Sequence, residues 1–534
     1  MCLYFSGRHC HVVLVTHMTI RSIAHRFHVP LPKLPRIAMS AVRALVPFAV
    51  LAIAWRLGQQ PAMRGAALVF TPVLIVLLFR GRQLVIPSLI AAVTLVPVAL
   101  GPGTGTPFSF AIIGIASLFA FEAMRRVARR RRVLPRSESN AAWMTIIAVA
   151  VLSILTGGAL WDARVAIEPN FIWVQAAQFA IIALSACAFW LSSLWLKRRW
   201  ELATLSALVV AIAALQSVMF IMPAVRISTL NEVWANPAAR VWLVVMPGAL
   251  ALFRDDWRPV QRVALFGLAV ALVALPWRVA ESWASGWLPS LIALVALVSL
   301  RLGRVSVIVG MAAIAPAVAG FVTVLLPRLA VDDQWSLGTR VLAWRGLFDL
   351  LDGRWALGLG LASYWHYWRG IIGSFAYFDP TQGYLHHTMD PKVNMHNNYI
   401  DMLAQMGVLG FLSLIWLIVS LYRHSFRVFR AEPSGFGHAY AAAAICGLTG
   451  MLASGMLGDW FFPFVYNIGL NGFRGSSIGW LLLGGLCVLD ATRAHASESD
   501  EGQVRDRQLA SDDALTTGAA ADTGVPMLGR TNRF

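Results

Sequence analysis

Five apolar stretches, residues 141–160, 171–196, 202–222, 305–326 and 399–421, limit what this chain can fold into more than any other feature. Each reaches or approaches the ~20 residues that a helix needs to cross the hydrocarbon core of a bilayer. No water pairs with the backbone there, so each stretch must satisfy its own N–H and C=O groups, which predicts helices. Splitting the chain at its charged and Gly/Pro-rich breaks gives about 12–14 such spans. The expectation is an all-α integral membrane protein with one large extracytoplasmic loop. Composition agrees: 58% of residues are hydrophobic, mean hydropathy is +0.67 and only 13% are charged, about half the share usual in soluble domains.

A net charge of +18 invites a nucleic-acid reading, which the positions of the arginines exclude. They lie between the apolar stretches. With the N-terminus in the cytoplasm, the inward loops hold Arg125, Arg126, Arg129, Arg132, Lys197, Arg199, Arg254, Arg258, Arg301, Arg304, Arg423 and Arg427. The short outward loops hold mainly Arg56, Arg64, Arg164, Arg226, Arg240 and Arg474. The positive-inside rule selects this orientation, with both termini cytoplasmic. The start lacks the cleavage site of a removable signal peptide, and Met18 and Met39 are further candidate starts. The expected location is a bacterial inner membrane, with membrane lipids as surface partners and no nucleic acid. The basic cluster 124–136 reads as a topology signal. Cys2, Cys10, Cys187, Cys446 and Cys487 show no metal-ligand spacing.

The chain divides into a cytoplasmic N-terminal segment (1–40), an N-terminal transmembrane bundle (41–327), an outer loop (328–398), C-terminal transmembrane helices (399–492) and a polar tail (493–534) that reads as disordered and cytoplasmic. The outer loop stands apart, since about seventy residues separate the flanking spans and ordinary connections are far shorter. It holds His366, His386, His387 and His396, together with many aromatic residues. Residues 338–351 carry Val341, Trp344, Leu347, Phe348 and Leu351 at three- and four-residue spacing, which predicts an amphipathic helix on the membrane surface. Gly358 and Gly360 mark a turn, and residues 364–368 supply aromatics suited to an interface belt or to a sugar face.

The most informative run is His396-Asn397-Asn398-Tyr399, followed by Gly407-Val408-Leu409-Gly410 inside a span. Upstream lie Arg340, Trp344 four residues on, and the Gly358-Leu359-Gly360 turn. Together these resemble the O-antigen ligase and polymerase family, whose pattern is Arg, Trp four residues later, Gly-x-Gly, then His-Asn-x-Tyr and Gly-x-x-Gly. The chain departs from relatives in carrying Arg354-Trp355-Ala356 where a Pro is common before the glycine turn. The resemblance implies a glycosyltransferase with a polyprenyl-diphosphate-linked glycan as donor and a glycan or lipid-linked sugar as acceptor. It implies no cofactor and no metal.

The residues support the same chemistry independently. His396 precedes a helix whose first turn carries unpaired N–H groups and partial positive charge, which disfavours imidazolium. A neutral histidine there is a candidate base for an acceptor hydroxyl. Arg340, with Arg345 beside it, suits the charge growing on a diphosphate leaving group. Tyr399 is a candidate substrate contact or an interfacial anchor, and Arg226 and Arg278, at the outer ends of spans, are candidates to hold diphosphate. Asn397 and Asn398 read as helix caps and Gly407 and Gly410 as close helix packing. Three histidines, His386, His387 and His396, lack the neighbouring carboxylate or cysteine spacing of a metal site. The rival reading is a multispan transporter, which explains the loop poorly because the spans carry almost no midplane acid or base. The acceptor stays open among a glycan repeat unit, a lipid A core sugar and a protein hydroxyl.

Overall fold

The structure is a computed structural model that describes residues 84–95, 99–100, 108–222, 228–278, 284–303, 340, 343–344, 346–369, 376–379, 384–387 and 395–494. In chain order the described elements are α1 (Val85–Leu95), a ribbon of β1 (Ala99–Leu100) and β2 (Phe108–Ser109), α2 (Phe110–Ala128), α3 (Asn140–Ala159), α4 (Phe171–Trp195) and α5 (Arg199–Ile221). Then follow α6 (Ser228–Trp234), α7 (Pro237–Phe253), α8 (Pro259–Arg278), α9 (Ala284–Leu302) and the short α10 (Tyr364–Tyr367). A second ribbon of β3 (Ala376–Asp379) and β4 (Tyr384–His387) precedes α11 (Asn398–Ala431), α12 (Gly435–Leu457) and α13 (Gly469–Gly484).

Seven helices among the described residues are long and apolar enough to cross a membrane, and three further apolar helices are shorter. The chain is a multi-pass helical membrane protein. Of the five stretches that frame the sequence, 141–160, 171–196, 202–222 and 399–421 appear as α3, α4, α5 and α11. The stretch 305–326 lies outside the described residues, as do the segment 1–40 and the tail beyond 494.

The helices begin where the sequence offers caps. Asn236 precedes Pro237 at the start of α7 and accepts the Ala239 N–H at 3.2 Å, the usual pairing of a capping side chain with Pro in the first turn. Glu201 in the first turn of α5 accepts the Lys197 and Arg198 N–H groups at 2.5 and 3.2 Å. α7 is apolar on every side apart from the buried Arg240 and accordingly sits at the centre, packed by α8, α9 and α12. α13 is likewise buried along its length.

The two ends of the bundle differ. One is basic: Arg427 bonds Glu138 and Asp490, His424 bonds Asp490 at 2.9 Å, and Arg199 pairs with Glu432 at 2.6 Å. At the other end residues of the 328–398 segment build a cap with its own small core. Ala343, Leu347, Leu350, Leu351, Leu359, Tyr364, Tyr367, Trp368 and Met395 pack there with Val165 and with Ala404 of α11. The expected amphipathic segment therefore turns its apolar side into this core, and Phe348, one of its predicted stripe, is 56% exposed. The aromatic run 364–368 is buried rather than displayed as a belt.

Candidate functional site

His396 stands two residues ahead of α11 and is pinned from both sides. Upstream, the Trp344 indole N–H donates to the Met395 carbonyl at 3.0 Å. The Tyr364 hydroxyl donates to the Ala343 carbonyl at 2.8 Å, tying the same segment into the cap. Downstream, the Asn397 side-chain oxygen caps α11 by accepting the Tyr399 and Ile400 N–H groups at 3.0 and 3.3 Å, while its amide donates to Met456 O at 3.1 Å. Asn398 does more than cap. Its amide donates to Phe462 O at 2.7 Å and its oxygen accepts the Phe461 and Phe462 N–H groups at 2.8 and 3.1 Å, which staples the loop between α12 and α13 to the start of α11.

Held this way, His396 takes a φ of +46°. For a residue with a Cβ the left-handed region costs about 1–2 kcal/mol, and such strain persists only where the surroundings over-determine it. The stapled loop brings its polar groups to the imidazole. Asn467 Nδ2 lies 3.2 Å from His396 Nδ1 and 2.7 Å from Asp459 Oδ2. Burial pushes the His396 imidazole below its ordinary value, the nearby Arg340 guanidinium pushes the same way, and Asp459 opposes both. A half-buried neutral imidazole results.

Asp459 also meets Asp401 of the first turn of α11, which is fully buried and hydrogen-bonded to it. Read as carboxylates, Asp401 Oδ2 and Asp459 Oδ1 are buried with no partner among the described residues.

The glycine motifs meet at one point. α11 breaks at Gly407, with φ +63° and ψ −163°, and a break in a membrane helix must find other partners for its backbone. They come from the Gly-x-Gly turn. Val408 and Leu409 N–H donate to Trp355 O and Ala356 O at 2.8 and 3.1 Å, and Ala404 O and Gln405 O accept the Leu359 and Gly360 N–H groups at 2.9 and 3.1 Å. Gln405 Oε1 accepts the Ala362 N–H at 3.0 Å, and Ser153 of α3 donates to Gln405 O at 2.6 Å. Gly407 thus serves a helix break that receives a loop, not the helix-on-helix contact its spacing suggests. The Trp355-Ala356 pair in place of a proline supplies the two accepting carbonyls.

Of the residues singled out in the sequence, His396 and Arg340 come together within charge range. Tyr399 directs its hydroxyl to Leu452 O at 3.1 Å, linking α11 to α12. Arg226 and Arg345 lie outside the described residues, and Arg278 closes α8 with its side chain outside the description. His386 and His387 sit in β4 opposite Tyr377 and Ala376. Sequence reasoning missed Asp459, Asn467 and Asp401. A signal existed for Asp459: it is the only carboxylate between Glu432 and Asp490, and an acid isolated among membrane spans is a functional candidate by default. No family profile matches this chain, and no curated protein is significantly similar to it.

Proposed function

We propose that this protein is a membrane glycosyltransferase that moves a polyprenyl-diphosphate-linked glycan to an acceptor hydroxyl at the outer face of a bacterial inner membrane, as an O-antigen-type ligase or polymerase. The observation that carries the reading is the neutral, strained His396 facing Arg340 at the mouth of α11, backed by Asn467 and Asp459. In the reaction His396 Nε2 takes the acceptor hydroxyl proton as the acceptor oxygen bonds to the anomeric carbon. The bond from that carbon to the diphosphate oxygen breaks, with inversion, and polyprenyl diphosphate leaves with one more negative charge. Arg340 meets that charge, which a guanidinium does through paired N–H donors.

The base role fixes the tautomer. Nε2 accepts a proton only when Nδ1 already holds one. Asn467 then turns its amide oxygen to Nδ1. Amide oxygen and nitrogen share one outline, so either orientation fits the distances above. With the amide nitrogen toward Nδ1, the ring proton sits on Nε2, where His396 donates instead of accepting. Asn467, held by Asp459 at 2.7 Å, is a positioning residue that sets which form is present.

The test is the length pattern of surface glycans on a gel after gene deletion, with complementation by wild type and by His396→Ala. Loss of long chains that wild type restores and His396→Ala does not supports the transferase. An unchanged pattern overturns it and favours transport of a solute or polysaccharide precursor.

A further inference from the structure

Beside Asn467 the cap holds a polar group that the chemistry above leaves unused. His366 of α10 is only 4% exposed, yet neither ring nitrogen has a hydrogen-bond partner among the described residues. It packs edge-to-face against rings, with centroids of Phe171 at 4.4 Å and of Trp161 and Tyr466 at 5.9 Å. The Tyr466 hydroxyl is buried and equally without a partner among the described residues. At the rim, Arg369 and Glu168 face each other at 3.8 Å.

Buried polar atoms in folded proteins are hydrogen-bonded with few exceptions, and each exception calls for an occupant or a function. A histidine kept only for packing would have at least one nitrogen paired. Here three polar atoms without a partner among the described residues stand among aromatic rings, and one ligand chemistry answers both features. A sugar ring presents a C–H face to aromatic rings and hydroxyls that both donate and accept. A phosphate would need cations, and Arg369, the nearest, is half taken by Glu168. The surroundings also lower the imidazole's affinity for a proton, burial foremost, so the ring offers one donor and one acceptor to neighbouring hydroxyls.

We propose that Trp161, Phe171, His366 and Tyr466 form a carbohydrate subsite that seats one sugar ring of the glycan substrate. Tyr466 directly precedes Asn467, whose amide reaches His396 at 3.2 Å, so the subsite adjoins the reacting centre. The assignment of that sugar to a substrate rests on the transferase reading; the binding of a sugar does not.

The experiment is saturation-transfer NMR on the full-length protein in detergent, with methyl glycosides of hexoses, N-acetylhexosamines and deoxyhexoses as probes and glycerol as control. Wild type is expected to transfer saturation to the ring C–H protons of at least one class. The double variant His366→Phe/Tyr466→Phe keeps the shape and removes the polar atoms, and should bind about tenfold or more weakly, while Gly267→Ala, where an added Cβ meets nothing within 4 Å, binds as wild type. Tyr466→Phe alone, a loss of one oxygen, is the milder variant should the double one not fold. Because the removed atoms have no protein partner among the described residues, these variants should unfold at the wild-type temperature or above it. No transfer beyond the glycerol control, undiminished binding in the variants, or a fall in unfolding temperature for Tyr466→Phe each overturns the subsite. Sugar binding in a protein whose deletion leaves surface glycans unchanged upholds the subsite and removes the transferase.

Discussion

Gly358 lies against Gly407 so closely that a Cβ built on Gly358 would fall 2.6 Å from the Gly407 nitrogen. The cap and α11 are in backbone contact there, and no side chain fits between them. Both glycines also have positive φ, +71° and +63°, so a substitution at either meets backbone strain as well as overlap. Gly358→Ala or Gly407→Ala should cost about 2–5 kcal/mol, the sum of left-handed strain and overpacking. Thermal unfolding in detergent reads this directly. Gly267→Ala on α8, where an added Cβ meets nothing within 4 Å, is the control expected to show no loss.

On the transferase proposal, His396→Ala should lower the transfer rate by about 10²–10⁴-fold, the range a positioned base supplies, with membrane abundance unchanged. Arg340→Ala should impair transfer severely and Arg340→Lys less so, since an ammonium keeps the charge and lacks the planar fork. Rates measured in membranes with matched protein levels check both. Wild-type transfer by His396→Ala would remove the proposed chemistry.

The pH profile should carry an acid limb below the ordinary histidine range near 6.5, because burial and Arg340 both lower the His396 value and only its neutral form accepts a proton. Activity then falls as pH drops through that lowered value. Arg340→Gln removes a lowering influence and should move the limb to higher pH in its residual activity. Asp459→Asn removes the raising one and should move it lower. Stability follows the same sign: between the folded and unfolded values the unfolded chain binds more protons, so this group's contribution is lost as pH falls. A limb that stays fixed in both variants would separate His396 from the titration.

Arg474 of α13 is buried and reaches three acceptors: Val93 O at 2.5 Å, Thr94 O at 3.2 Å and Glu232 at 2.6 Å. Removing it strands two carbonyls at the end of α1, and Arg474→Ala should destabilise by about 3–5 kcal/mol, as loss of one partner of a buried ionic cluster does. Glu232 is 66% exposed, so Glu232→Gln should cost only about 0–1 kcal/mol. Unfolding temperatures of the two variants compared side by side test this asymmetry; equal losses would contradict it.

Hydropathy alone located α3, α4, α5 and α11, because a bilayer leaves a long apolar run no alternative to a helix. The spacing of Arg340, Trp344, the glycine turn and His396 marked where the cap meets α11, since local backbone needs are written in glycines and caps. Asp459 and Asn467 were not legible. They reach His396 across more than sixty residues of chain through the staple made by Asn398, and two apolar runs meeting in space leave no periodic trace of which loop residues face each other. Gly407 was read correctly as special and wrongly as packing, because a glycine that permits a break and one that permits close approach look the same in sequence.

The break at Gly407 also has a bearing on biosynthesis. Residues 355–360 emerge from the ribosome before residues 404–409, so the carbonyls and amides that complete the broken helix already exist when it enters the bilayer. A chain shortened in the cap would deliver α11 to lipid with its break unpaired, and quality control would meet it as a misinserted helix rather than as a folded protein with an altered site.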